Sequence, residues 1–209
     1  MQSSVLLSTA YLPSIEYTIQ CIRFQKVWIE LFETYQKQSF RNRCSIATAN
    51  GLLQLSIPIK KVNGNHTKTG EIEIDNSTGW NQIHWRSIAS AYTHSPYFIH
   101  YREPFESIFN NPPSLLSELN TQLLTAIFKI LKTDIDLSFT SEYTAIPEKI
   151  TDLRQAIHPK HSSPYPGKPT RYVEYIQTFN NKYSFLPNLS IIDLIFNEGP
   201  AALDYLTDN

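Results

Sequence analysis

Three cations, two glutamines and an asparagine stand within ten residues, Tyr35-Gln36-Lys37-Gln38-Ser39-Phe40-Arg41-Asn42-Arg43-Cys44. Arg41 and Arg43 are two apart, so in extended backbone both point to one face while Asn42 points to the other. Two guanidiniums on one face form a fork suited to a phosphate or a carboxylate, with Lys37 close by. The alternative is a solvated hairpin arm with surface arginines. A second cluster, His84-Trp85-Arg86, places a base and a cation on one helix; a core-edge histidine beside an amphipathic tryptophan is the other reading. A third, His158-Pro159-Lys160-His161, opens a proline-rich loop through Pro169. Pro159 forbids a regular helix there, and no carboxylate or cysteine lies at ligand spacing, so a metal site is not expected. A loop of this composition suits acid/base or phosphate contacts, which makes His158 and Lys160 candidates.

These segments need a scaffold. Val5-Leu6-Leu7 is a short apolar run, Pro13 fits a first helical turn, and Ile15, Ile19 and Ile22 recur at helical spacing. With Val27 to Phe32 as the next strand, this reads as a β-α-β unit. Ligands of open α/β sheets bind beyond the carboxyl ends of the strands, so Ser8, Thr9, Tyr11 and Tyr17 join the candidates. The segment from Tyr35 to Arg43 leaves the second strand on the same edge. Ala49-Asn50-Gly51 predicts a hairpin between Cys44 to Thr48 and Leu53 to Ile59. Lys60 to Gly70 reads as an exposed, mobile loop and Glu71 to Asp75 as an edge strand. Asp75 to Thr78 can cap a helix whose one face carries Trp80, His84, Ile88 and Ala91. The aromatics from Tyr97 to Phe109 and the leucines from Leu115 to Leu131 read as packing helices. Ile135 to Phe139 reads as a strand, Asp152-Leu153-Arg154 as the start of a short helix, and Tyr172 to Phe179 as a strand. Ser190 and Asp193 form a capping pair for the next helix, and Ala201 to Leu206 closes the chain. The expectation is an α/β fold in one domain over 1–209: a mixed sheet with the N-terminal β-α-β unit, a β-hairpin and several packing helices.

Composition excludes several functions. A net charge of −1 gives no basic stripe for nucleic acid, so phosphate binding must be local. No apolar run reaches membrane-span length and no basic n-region precedes Val5, which predicts a cytoplasmic protein. Two cysteines, Cys21 and Cys44, read as buried thiols. There is no G-x-G-x-x-G, P-loop or G-x-S-x-G, and no cofactor is called for.

The chain resembles the WbqC-like family of bacterial proteins between about Leu6 and Leu206. The resemblance rests on A-Y-L-P-S-I-E-Y (10–17), Y-Q-K-Q-S-F-R-N-R (35–43), A-N-G (49–51), H-W-R-S-I (84–88) and P-N-L-S-I-I-D-L-I-F-N-E-G (187–199). It implies an association with surface polysaccharide (O-antigen) gene sets and a role in modifying amino sugars. Leu7-Ser8-Thr9 stands where many members carry a His-Gln-Pro-type sequence. The reading is a transferase placing an acyl or aminoacyl group on an activated or nucleotide-linked amino sugar, an anionic small molecule. His84 and His158 are the candidate bases, and Tyr11, Tyr17, Lys37, Arg41, Asn42, Arg43, Trp85, Arg86 and Lys160 the candidate binding residues. The alternative is a non-catalytic binding or scaffold protein using the same edge.

Overall fold

The computed structural model describes residues 4–143, 150–160 and 171–208. Strand β1 (Ser4–Ser8) leads into helix α1 (Ile15–Phe24) and strand β2 (Lys26–Glu30). Ser14 caps α1 by accepting from the Tyr17 N–H, and Gln25, in the left-handed region, ends it. Hairpin strands β3 (Arg43–Thr48) and β4 (Gly51–Ser56) follow, joined through Ala49 and Asn50, with Gly51 at φ 99°. β5 (Ile59–Lys60) pairs with β6 (Glu73–Ile74), and then come helices α2 (Trp80–Tyr92), α3 (Phe98–Asn110) and α4 (Leu116–Leu131). Strands β7 (Asp136–Phe139) and β8 (Ile150–Asp152) and helices α5 (Ile191–Glu198) and α6 (Ala202–Asp208) complete the described chain.

The fold is α/β. The four-stranded sheet has the order β7-β2-β1-β8 with every pair parallel, while β3 and β4 form a separate antiparallel hairpin. β1 is central, and its Val5, Leu6 and Leu7 are buried, as a parallel strand covered on both faces requires. All four strands run the same way, so their carboxyl ends share one edge. There the chain goes from β1 to β2 on one side and returns to β8 on the other, the topological switch at which open α/β sheets bind ligands. Helices α2, α3 and α5 meet around aromatic rings, stacked between α2 and α3 and edge-on between α3 and α5. Gly199 closes α5 against Tyr97, where an added Cβ would sit 2.5 Å from the ring.

Four local expectations are corrected. Asp152 ends β8, and Leu153 and Arg154 begin a turn, not a helix. Tyr172 to Phe179 forms no strand; its polar side chains are held by α5 instead, as through Tyr175 to Asp193. The segment 60–70 is not wholly exposed, because Thr67 and Thr69 are buried against the chain beyond β2. Ser190 precedes α5 but gives its hydroxyl to the Leu12 carbonyl, and Asp193 turns into the core. Cys21 and Cys44 are buried free thiols whose pKa values burial pushes well up, so neither is a reactive thiolate.

Candidate functional site

Acidic residues sit at or just past the ends of β2 and β8, and each meets an arginine. Glu30, the last residue of β2, is fully buried; its Oε2 accepts from Arg154 Nη1 at 3.0 Å, and its Oε1 from Thr140 Oγ1 and the Phe32 N–H. Arg154 also grips Asp152, with Nη2 donating to Oδ2 at 2.6 Å. The hydrogen bonds and charge of Arg154 outweigh the cost of burial and hold the Asp152 carboxyl below its usual range. Three residues beyond β2, Glu33 Oε1 accepts from Arg41 Nε at 2.8 Å and Nη2 at 2.6 Å. Burial raises the Glu33 pKa despite that cation. Among the described residues no donor is recorded at Glu33 Oε2. Asn120 of α4 ties the edge together, donating to Thr9 Oγ1 at 3.1 Å and to the Arg41 carbonyl at 2.8 Å.

An open pocket of about 390 Å³ lies over these groups, bordered by Phe32, Glu33, Thr34, Gln36, Tyr143, Asp152, Arg154 and Gln155. The Arg154 guanidinium lies 5.4 Å from the centre of the Tyr143 ring, so one wall is aromatic and the floor is charged. Ser8, Thr9, Tyr17 and Arg41 line a much smaller void of about 10 Å³ beyond β1, the size of one water.

The Tyr11 turn, the segment from Tyr35 to Arg43 and His84 do converge. The Tyr11 N–H donates to the Phe40 carbonyl, and the Tyr11 hydroxyl shares a 2.8 Å hydrogen bond with His84 Nδ1. Their meeting place is core, since Tyr11 is fully buried and His84 is 5% exposed. Burial depresses the His84 pKa to about 4, against a smaller opposing pull from the Ser56 backbone, so the imidazole is neutral near pH 7. Trp85, one residue on, faces away: it stacks on Phe98 and Phe109 and donates to Glu106. Arg86 is exposed and borders a different pocket, of about 640 Å³, beside the hairpin turn.

Arg41 and Arg43 do not make one fork. Arg41 turns inward to Glu33, whereas Arg43 is half-buried at the start of β3 with no carboxylate within ion-pair distance among the described residues. Asn42 clamps Ile57, its Nδ2 donating to that residue's carbonyl at 2.9 Å. Tyr17 donates its hydroxyl to the Ser8 carbonyl, and burial raises its pKa. Lys37 is exposed. Lys160 reaches the same segment, its Nζ donating to Gln38 Oε1 at 2.6 Å, and half-buried His158 accepts the Lys160 N–H at Nδ1. The rest of the proline-rich loop lies outside the described residues.

Sequence reasoning passed over Glu30, Glu33, Asp152 and Arg154. A charged residue ending an otherwise apolar strand, as in Lys26-Val27-Trp28-Ile29-Glu30, was the available signal, because only a paired carboxylate survives there. Among the described residues no group of three or more His, Cys, Asp or Glu is placed to hold a metal ion, and no helix is long and apolar enough to cross a membrane.

A Mycobacterium tuberculosis protein, "Uncharacterized protein Rv1507c", is 28% identical over 196 residues, covering 82% of this chain and 83% of that protein. No solved structure matches the chain. The model of the WbqC-like protein family matches residues 9–167, a span that begins just after β1 and holds β2, β8 and the charged groups Glu30, Glu33, Arg41, Asp152 and Arg154 of the sheet edge. By that match the chain belongs to the WbqC-like protein family.

Proposed function

We propose that the pocket at the carboxyl edge of the sheet takes the amine of an activated or nucleotide-linked amino sugar and that the protein transfers an acyl or aminoacyl group to it. The supporting observation is Glu33. Glu33 borders the pocket, one of its oxygens is fixed by Arg41, and burial raises its pKa. That combination suits a general base for an amine. In the step, the amine nitrogen attacks the acyl carbonyl and forms the C–N bond. Glu33 takes the amine proton, and the bond from the carbonyl to its leaving group breaks. Asp152 adds negative charge that favours a cationic amine, and Tyr143 offers a ring face for the sugar. The setting suits surface polysaccharide synthesis. His84, buried and neutral, bridges the Tyr11 turn to α2 and is not the base in this scheme.

Calorimetry with a nucleotide-linked amino sugar and its N-acetylated form tests the reading. The free amine should bind at least tenfold more tightly, and Glu33→Gln should erase that preference. Equal affinities for the two ligands in the wild type would reject it. The second reading, a non-catalytic binding protein, draws on the fact that Arg41 and Arg154 are already saturated by carboxylates, as in a rigid scaffold. It predicts the same amine preference with no conversion in any acyl-donor mixture.

A further inference from the structure

We infer that Arg43, Tyr35 and Lys61 form a subsite for a phosphate group, next to the Glu33 pocket. The described arginines that are buried or partly buried are otherwise all paired: Arg41 with Glu33, Arg102 with Glu106, and Arg154 with Glu30 and Asp152. Arg43 breaks the pattern. It is half-buried, its Nε is cut off from solvent without an acceptor, and none of its guanidinium donors is accepted by a described residue. Burying that Nε–H without an acceptor is costly, and an anion drawn to the open side of the guanidinium would offset part of the cost.

Two further donors stand beside it. The Tyr35 side chain is 5% exposed, yet no described residue hydrogen-bonds its hydroxyl. The Lys61 ammonium lies 5.6 Å from the centre of the Tyr35 ring, and its contact with Asn65 Oδ1, at 3.5 Å, is at the outer limit of a hydrogen bond. Burial pushes the Tyr35 pKa up to about 12, with Arg41 and Arg43 pulling it down, which places both guanidiniums within electrostatic reach of that hydroxyl. The backbone fixes the arrangement. The Tyr35 N–H donates to the Thr67 carbonyl, and Asn42 bonds Ile57 through both backbone and side chain, holding the start of β3 against the chain that leads to Lys61. A planar guanidinium, a phenol and a point charge suit a phosphate, whose oxygens can accept from all three.

Glu33 and Tyr35 are two residues apart, so their Cα atoms are separated by at most about 7 Å. The amine and the phosphate of one sugar ligand can therefore reach adjoining places. Assigning the phosphate to a nucleotide-linked sugar rests on the reading above; the subsite itself stands on the unaccepted Arg43 Nε and on the Lys61 ammonium over the Tyr35 ring.

Titration of the full chain with inorganic pyrophosphate, followed by calorimetry, tests it. Arg43→Gln should weaken binding about 10- to 100-fold, the range for a lost charge-assisted contact. Tyr35→Phe and Lys61→Ala should weaken it severalfold. Replacing the exposed Lys182 by alanine should leave it unchanged. No pyrophosphate binding by the wild type, wild-type binding in folded Arg43→Gln, or equal losses in the Lys182 control would each overturn the subsite. If Arg43→Gln does not fold, Tyr35→Phe decides, because it keeps the ring and removes only the hydroxyl; unchanged binding then overturns the inference. Pyrophosphate binding by the wild type that is lost in Arg43→Gln, with no preference for the free amine over its N-acetylated form, would sink the transferase reading and leave the subsite standing.

Discussion

The carboxyl edge of the sheet and the aromatic junction of α2, α3 and α5 hold the molecule together by opposite means. At the junction, Trp85 stacks on Phe98 and Phe109 at 6.1 and 5.8 Å, and Phe196 meets Phe98, Phe105 and Tyr92 through ring contacts. Stability there comes from apolar area and shape, which are tolerant of direction. At the edge, strand ends bring carboxylates to positions where water is excluded, and only directional pairing with Arg41 and Arg154 makes them tolerable. The junction fills its space, whereas the edge leaves a pocket. That open, charged edge is the region to which the proposed chemistry is assigned.

Removing one member from each region gives the largest effects and separates the two modes. Arg154→Met, which strands Glu30 and Asp152, should cost about 3–5 kcal/mol, and Phe196→Ala about the same through its cavity. Urea denaturation distinguishes them on a second substitution. Adding Glu30→Leu to Arg154→Met should recover part of the loss, because the fully buried one of the two stranded charges is gone, whereas adding Phe98→Ala to Phe196→Ala should lose more.

His84 lies between the regions and gives the next effect. Its folded pKa of about 4 is below the unfolded value of 6.5, so the unfolded chain binds the extra proton first as pH falls. Stability from this group is full above pH 6.5 and declines through pH 4, by about 3 kcal/mol in all. His84→Gln should remove that part of the acid dependence in denaturant titrations; an unchanged profile would place the imidazole in a more solvated setting. The smallest effect is expected at the cap of α1, where Ser14→Ala should cost about 1 kcal/mol in thermal unfolding, without altering the edge.

Periodicity and turn chemistry made most of the scaffold legible. The apolar runs at Val5 and Val27, the helical spacing from Ile15, the hairpin around Asn50 and the leucine helix all have local causes, and they appear as expected. Asp152-Leu153-Arg154 and Tyr172 to Phe179 were misread because distant partners decide them: Leu6 takes the Leu153 N–H, and Asp193 holds Tyr175. The site was legible as a place and less so as a set of groups. Parallel strands must deliver Tyr11 and the segment from Tyr35 to Arg43 to one edge, but no spacing rule tells that Arg41 turns to Glu33 while Arg43 stays unpaired. His84 and Trp85 show the same limit. Adjacent in sequence, they point about 100° apart around their helix and enter different surroundings.

The most direct measurement of the central claim is a carboxyl-carbon NMR titration of Glu33, with and without the free-amine nucleotide sugar. Glu33 should titrate above its ordinary value in the free protein, and the bound ammonium should pull that value down, while the N-acetylated ligand should not. A Glu33 that titrates in the ordinary range and ignores the amine would contradict the assignment of this pocket as the amine site.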